Sequence, residues 1–317
     1  MVSGKAVISG GAGFIGSHLA DSLLEKGWDV LAIDRINPGT ATNISHLAGN
    51  KRFSYAVNDM KDVSAVEKLA EGSDMIFHLA ANSDIQKGGT DPNIDLNDTL
   101  MTTVAMLQAA RANGIKKFFF SSTSAVYGDL TGVRLREDTG GLEPVSYYGA
   151  TKLASEALVS SYSFMNDMDS LVFRFPNVVG TRLTHGVIFD FLKKLKKDSG
   201  RLEILGDGKQ SKQYVHVTDL VNGIVDFTGR MEKGYRMYNI STESFTSVKE
   251  IADLVCERLG LKDVVYEYTG GDRGWKGDVP TFDYDIEKAK EKGWRFRYDS
   301  TGAVRKTLEE LDISAGR

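Results

Sequence analysis

The chain has 317 residues, of which 41% are hydrophobic and 26% charged, enough apolar content to bury about two soluble domain cores. A formal net charge of −4 argues against a nucleic-acid partner, whose phosphates call for a basic field. The one cysteine, Cys256, excludes a disulfide framework and, within the helical pattern Ile251–Cys256, reads as a small buried apolar side chain. The opening Met1-Val-Ser-Gly-Lys5 carries no apolar signal region, and no stretch approaches the ~18 apolar residues of a membrane span. No membrane partner is expected, and the cytoplasm is the expected compartment.

In chain order, Ala6–Ile8, Asp29–Ile33, Arg52–Val57, Met75–Leu79, Lys117–Phe120 and Asp169–Phe175 read as strands. Ser17–Lys26, Val63–Glu71, Leu100–Ala112 and a long segment from near Tyr148 read as helices. This alternation predicts the α/β class: a Rossmann-type doubly wound parallel sheet over residues 1–176, rejoined by about 214–241. Beyond Pro176 the rhythm breaks. Glycine pairs at Gly206, Gly208, Gly270 and Gly271 mark loops of a smaller α/β domain, built from 177–213 and 242–317, that binds the substrate. The lysine run Lys193–Lys197 follows Phe189-Asp-Phe-Leu192 and reads as the wet face of an amphipathic helix.

Between the first strand and the first helix, Gly10, Gly13 and Gly16 (or Gly11, Gly13 and Gly16) make a glycine-rich turn. Glycine there permits the tight turn, close approach of a pyrophosphate and close helix–sheet packing, while the helix N-terminus offers free N–H groups. Asp34 lies 18 residues after Gly16, at the end of the next strand, where a carboxylate binds an adenosine ribose and repels a 2′-phosphate. The cofactor expected is NAD rather than NADP, although the neighbouring Arg35 is a group that accommodates a 2′-phosphate. Asp59 reads equally as an adenine contact or as a cap for the Lys61–Glu71 segment. His78 reads as a strand residue, and no histidine stands in metal-ligand spacing, so no metal is expected.

The run Ser146-Tyr-Tyr-Gly-Ala-Thr-Lys152 places Tyr148 and Lys152 four apart, one above the other on a helix. A tyrosine acting as a base near neutrality must move by about three pKa units from 10. One ammonium about 4 Å away at an effective dielectric near 20 supplies roughly that amount, and a bound nicotinamide adds to it. A hydroxyl partner is expected from Ser121-Ser-Thr-Ser124 at the C-terminal edge of a strand, with Thr123 and Ser124 competing.

These motifs, with Arg174-Phe-Pro-Asn-Val-Val-Gly180 and Gly206–Val217, resemble the extended short-chain dehydrogenase/reductase superfamily over nearly the whole chain, specifically its nucleotide-sugar enzymes of the UDP-galactose 4-epimerase kind. The resemblance implies that Tyr148 is the catalytic base, that Lys152 orients it and the nicotinamide ribose, and that Thr123 is the hydroxyl. It implies that Phe14, Ile15, Met60, Leu79, Ala80, Ala81, Ser121 and Phe175 complete the NAD site, with Asp59 as an adenine contact. For the substrate it points to Ser124, Asn177, Val187, Glu203, Leu205, Lys212, Arg273, Asp278 and Phe282. Lys212 takes the place of a usual arginine, and Gln213 that of the aspartate after it. Thr99 stands where the family has an asparagine, and Trp275 replaces a basic residue, so Arg273 is the substitute diphosphate contact. The reaction implied is NAD-dependent 4-epimerisation of a nucleotide sugar, a UDP-sugar favoured, by a homodimer joined through helices at Leu100–Ala112 and Leu153–Ser161. A releasing 4-dehydrogenase, an epimerase of GDP- or ADP-sugars, UDP-glucuronate decarboxylase, a 4,6-dehydratase and a non-catalytic NAD sensor are the alternatives. The dehydratase has Asp-Glu after its threonine, whereas Ser124-Ala125 follow here.

Overall fold

A computed structural model describes residues 3–274 and 277–311. Trp275 lies outside the described residues. The chain divides into two compact units: Met1–Gly128, Gly140–Arg174 and Val221–Tyr238 form the first, and Asp129–Thr139, Phe175–Leu220 and Asn239–Arg317 the second. The return to the first unit begins at Val221, where the sequence suggested about 214, and the excursion Asp129–Thr139 was not foreseen.

The first unit is built on strands β1 (Lys5–Ser9), β2 (Asp29–Asp34), β3 (Phe53–Val57), β4 (Met75–His78), β5 (Lys117–Thr123), β6 (Asp169–Phe175) and β7 (Tyr235–Asn239). Their order across the sheet is β3-β2-β1-β4-β5-β6-β7. β1 runs parallel to β2 and β4, and so do β2 with β3 and β4 with β5. The order therefore reverses between β1 and β4, the switch point at which open α/β sheets bind ligands at their carboxyl edge. β1, β4 and β5 are nearly continuous runs of fully buried apolar residues such as Val7, Ile76, Phe118 and Phe120, as a sheet covered on both faces requires. β7 went unread because Tyr235-Arg-Met-Tyr-Asn239 is an edge strand with exposed Arg236 breaking its apolar run.

Helices α1 (Phe14–Glu25), α2 (Val63–Leu69), α3 (Thr102–Ala112) and α4 (Tyr147–Met165) cover this sheet. α3 begins two residues later than the pattern suggested, because Leu96–Met101 ahead of it is a π-helical turn. The threonine hydroxyls there bond back to the chain: Thr102 and Thr103 both donate to the Thr99 carbonyl, at 3.0 and 2.8 Å. Such turns often occur at functional sites.

The second unit packs helices Val187–Lys197, Val248–Leu259 and Ser300–Glu310 about one apolar cluster containing Phe191, Leu195, Leu202, Ile251 and Val304. Strand Arg201–Ile204 pairs in parallel with Val265–Tyr268. Of the lysine run, Lys193, Lys196 and Lys197 are exposed while Leu195 is buried. Cys256 is buried in its helix, its sulfur accepting from the Tyr266 hydroxyl at 3.5 Å.

Candidate active site

The glycine turn joins β1 to α1. Gly10 has φ 72°, and a Cβ there would stand 2.9 Å from the Ala80 nitrogen, so the chain after β4 lies against it. A Cβ on Gly16 would fall 2.2 Å from the Gly10 carbonyl oxygen, so any side chain would push α1 off the turn. Gly13 differs: its Cβ would meet nothing but that same oxygen, at 3.1 Å, which leaves its face open. Gly13 caps α1 with no side-chain hydrogen bond, and the first turn holds no acidic residue. The N–H groups of Phe14, Ile15 and Gly16 are therefore presented to an anion.

Asp34 ends β2 beside this turn. Its carboxylate accepts from the Ala12 N–H at 3.1 Å and the Arg35 N–H at 2.8 Å, and burial holds its pKa above the usual value against these bonds. The Arg35 guanidinium is drawn to Asp98, at 2.9 Å, where Lys61 also pairs at 3.3 Å. These features fit a dinucleotide whose ribose meets Asp34. Met60 is buried, and Leu79, Ala80 and Ala81 follow the end of β4. Asp59 is not the cap of α2. Asp62 takes that role by accepting from the Ala65 N–H, because it stands three residues ahead as a cap must. Asp59 instead accepts from the Lys61 N–H at 2.9 Å, which with the Lys61 ammonium lowers its pKa. His78 is fully buried between the Ser9 hydroxyl at 2.6 Å and the Thr103 hydroxyl at 2.9 Å. Burial, then the charge of Lys152, pushes its pKa well down.

Ser146 caps α4 by accepting from the Gly149 N–H at 3.1 Å, which sets Tyr148 and Lys152 in the first two turns facing β5. The Lys152 ammonium donates to the Ser121 carbonyl at 2.6 Å and lies 4.6 Å from the centre of the Phe120 ring and 5.9 Å from that of Tyr148. Burial pushes the Lys152 pKa down to about 7. The Tyr148 hydroxyl is hydrogen-bonded to the Thr123 side chain, which also accepts from the Ala125 N–H at 3.2 Å. Between the two hydroxyls that the sequence left competing, Thr123 is the one so placed. The expected lowering of the tyrosine does not arise from these residues alone. Burial raises the phenol well above its ordinary value, the charge of Asp95 adds to the rise, and the Thr123 bond opposes it. The physical reason is desolvation of the anion, which the Thr123 bond does not offset.

Asp95 went unmarked in the sequence. It is fully buried, with one oxygen accepting from the Asn82 side-chain nitrogen at 2.9 Å and the other without a hydrogen-bond partner among the described residues. Nothing in its surroundings Pro92-Asn-Ile-Asp95 signals this.

In the second unit, Asp278 gathers the proposed diphosphate contacts. It pairs with the Lys212 ammonium at 2.5 Å, accepts from the Gly274 N–H at 3.2 Å, and its carbonyl accepts from Arg273 at 3.1 Å. Arg273 also pairs with Asp129 at 2.5 Å, so both candidate cations already hold carboxylates. Asn177 is exposed and bonds the buried Tyr214 hydroxyl. Val187 opens its helix, Glu203 and Leu205 are exposed at the end of Arg201–Ile204, and Phe282 is half-buried. Phe175 ends β6.

Strand order, glycine turn and acid-tipped β2 define a dinucleotide-binding protein of the doubly wound α/β class. More particularly, the chain belongs to the NAD dependent epimerase/dehydratase family, whose profile matches residues 6–241, and NAD is its cofactor. UDP-glucose 4-epimerase of Mycolicibacterium smegmatis is 30% identical over 313 residues, spanning 96% of this chain and 97% of that one. The dTDP-glucose 4,6-dehydratase of Streptomyces griseus is 30% identical over 273 residues, 84% of this chain and 82% of that one. A crystal structure of a UDP-galactose 4-epimerase shares 33% identity and a TM-score of 0.85 over 98% of this chain and 99% of that one. The protein is an enzyme of this family. No helix among the described residues is long and apolar enough to cross a membrane.

Proposed function

We propose that the enzyme interconverts the 4-epimers of a UDP-hexose of the glucose/galactose type. The observation that carries this reading is the Tyr148–Thr123 hydroxyl pair beside Lys152, followed by Ser124-Ala125 instead of carboxylates. The pair suits removal of a proton from a sugar hydroxyl, while the acid and base needed to eliminate water across two carbons are missing from those positions. Bound NAD supplies the acceptor and donor of hydride at C4.

Tyr148 takes the proton from the 4-hydroxyl and returns it after the sugar has turned. Thr123 hydrogen-bonds the same oxygen, and Lys152, as ammonium, favours the phenolate. Ser121 gives Lys152 its fixed place through the carbonyl contact. The second unit supplies the nucleotide contacts: Asn177, Lys212 and Arg273 for the diphosphate, with Asp278 orienting the two cations, and Val187, Glu203 and Leu205 for the nucleoside. Lys212 and Arg273 exchange part of their carboxylate pairing for phosphate when the substrate arrives. The bulky Phe282 ring supports a hexose without an N-acetyl group. A homodimer through α3 and α4 accounts for the exposed Phe164 and Met165 at the end of α4, 85% and 76% accessible.

The test is incubation of the purified enzyme with UDP-, GDP- and ADP-linked hexoses, products being resolved by chromatography. Interconversion of UDP-glucose and UDP-galactose without added coenzyme supports the reading. Conversion of another nucleotide's sugar alone, or release of a ketosugar, contradicts it.

A further inference from the structure

Three consecutive residues of β5 are each tied to one of three side chains on α4. Ser121 holds Lys152 through its carbonyl, Ser122 donates its hydroxyl to Glu156, and Thr123 bonds Tyr148. Tyr148, Lys152 and Glu156 are spaced by four residues and so line one stripe of the helix. Glu156 is buried and fully engaged. One oxygen takes Ser122 and the Arg174 Nε at 2.9 Å, and the other takes the Arg174 Nη2 at 2.6 Å. Arg174, on β6, lies 4.7 Å over the ring of Tyr127, the last residue of the turn that follows Thr123.

An ion pair this deep is a weak source of stability, because desolvation offsets most of its attraction. Here the Arg174 Nη1 has no hydrogen-bond partner among the described residues, which makes it weaker still. Its position is more telling than its energy. The carboxylate's charge acts on Lys152 in the direction that counters the burial of that ammonium.

We propose that Glu156, held by Arg174, is a positioning residue of the reaction, providing a counter-charge that favours the ammonium form of Lys152 and clamping the strand end that carries Thr123. This rests on the reading of Tyr148 and Lys152 given above. Other charged or titratable groups face the same cluster: His78 from β4 toward Lys152, Asp95 toward Tyr148, and Tyr235 from β7 toward Glu156 and Arg174. None of them bonds both the strand and the helix as Glu156 does.

The experiment is a titration of Lys152 by carbon NMR in protein labelled at the lysine ε-carbons, its signal assigned by loss in Lys152→Met. Glu156→Gln is expected to lower the titration midpoint by about one pH unit. With the sugar nucleotide, kcat should fall at least about tenfold while KM stays within about twofold, since positioning is lost and not binding. Because Glu156→Gln leaves Arg174 charged and unpaired, the double variant Glu156→Leu with Arg174→Met removes both charges and should move the midpoint in the same direction. Ser122→Ala, which loosens the clamp without touching charge, should lower kcat and leave the Lys152 midpoint in place. An unmoved midpoint in the Glu156 variants overturns the proposal even where epimerisation proceeds. A shifted midpoint with no turnover of any sugar nucleotide upholds the clamp and defeats the proposed reaction instead.

Discussion

Lys152 donates to the carbonyl of Ser121 at 2.6 Å from a site where its side chain is almost wholly enclosed. The contact satisfies one N–H of a cation that burial has brought to the edge of neutrality. It holds α4 against the strand that ends in Thr123. Burial is what brings the lysine's pKa down toward neutrality, and the charge of Glu156 opposes it.

A stability prediction follows from that. The folded chain holds Lys152 near pKa 7, below the ordinary ~10.4 of the unfolded chain. Between those values the unfolded chain binds more protons, so stability of the NAD-free protein rises with pH through this window. The slope contributed by one group is at most about 1.4 kcal/mol per pH unit. Denaturant unfolding from pH 7 to 9 should show a rise that Lys152→Met lacks. Parallel curves for the two proteins would refute it.

Tyr148→Phe removes the phenol but not the ring. Turnover should fall by a factor of about 10²–10⁴, the usual span of general acid–base catalysis. NAD should remain bound, as read from protein fluorescence on titration. Undiminished activity would take the tyrosine out of its role.

Gly16→Ala places a methyl group 2.2 Å from the Gly10 carbonyl oxygen, an overlap that backbone movement has to relieve. Such overpacking costs about 1–3 kcal/mol. Lower stability together with weaker NAD binding is expected in thermal melts and calorimetric titration. Full retention of both would show that the turn does not bear on the cofactor.

Asp34→Ala deletes the carboxylate that the Ala12 and Arg35 N–H groups orient. A hydrogen bond to a charged group is worth about 1.5–3 kcal/mol, so NAD affinity should fall roughly 10- to 100-fold. The preference against NADP should shrink alongside, measured by competition between the two coenzymes. Equal loss for both coenzymes would mean that the carboxylate does not discriminate.

Much of this was legible from residue pattern. The alternation of short apolar runs and amphipathic segments named six of the seven sheet strands, because buried parallel strands have a strong local signature. The glycine turn and the Tyr148–Lys152 spacing are likewise local, so their placement needs no tertiary information. What escaped depends on contacts between distant segments. β7 is a half-polar edge strand, and the excursion Asp129–Thr139 joins the second unit through the short parallel pairing of Arg134–Leu135 with Asp283–Tyr284. The pairing of Lys212 with Asp278 spans 66 residues and the burial of Asp95 depends on segments far from it. Glu156 was the exception: four residues after Lys152, it was within reach of the same spacing argument that picked out the lysine.

The account is tested most directly with UDP-galactose carrying deuterium at C4. A tyrosine that moves only the hydroxyl proton leaves the carbon-bound hydrogen to depart from and return to C4, so the UDP-glucose formed should keep its deuterium at C4 with none lost to water. Loss of the label to solvent, or no UDP-glucose at all from protein with NAD bound, would contradict it.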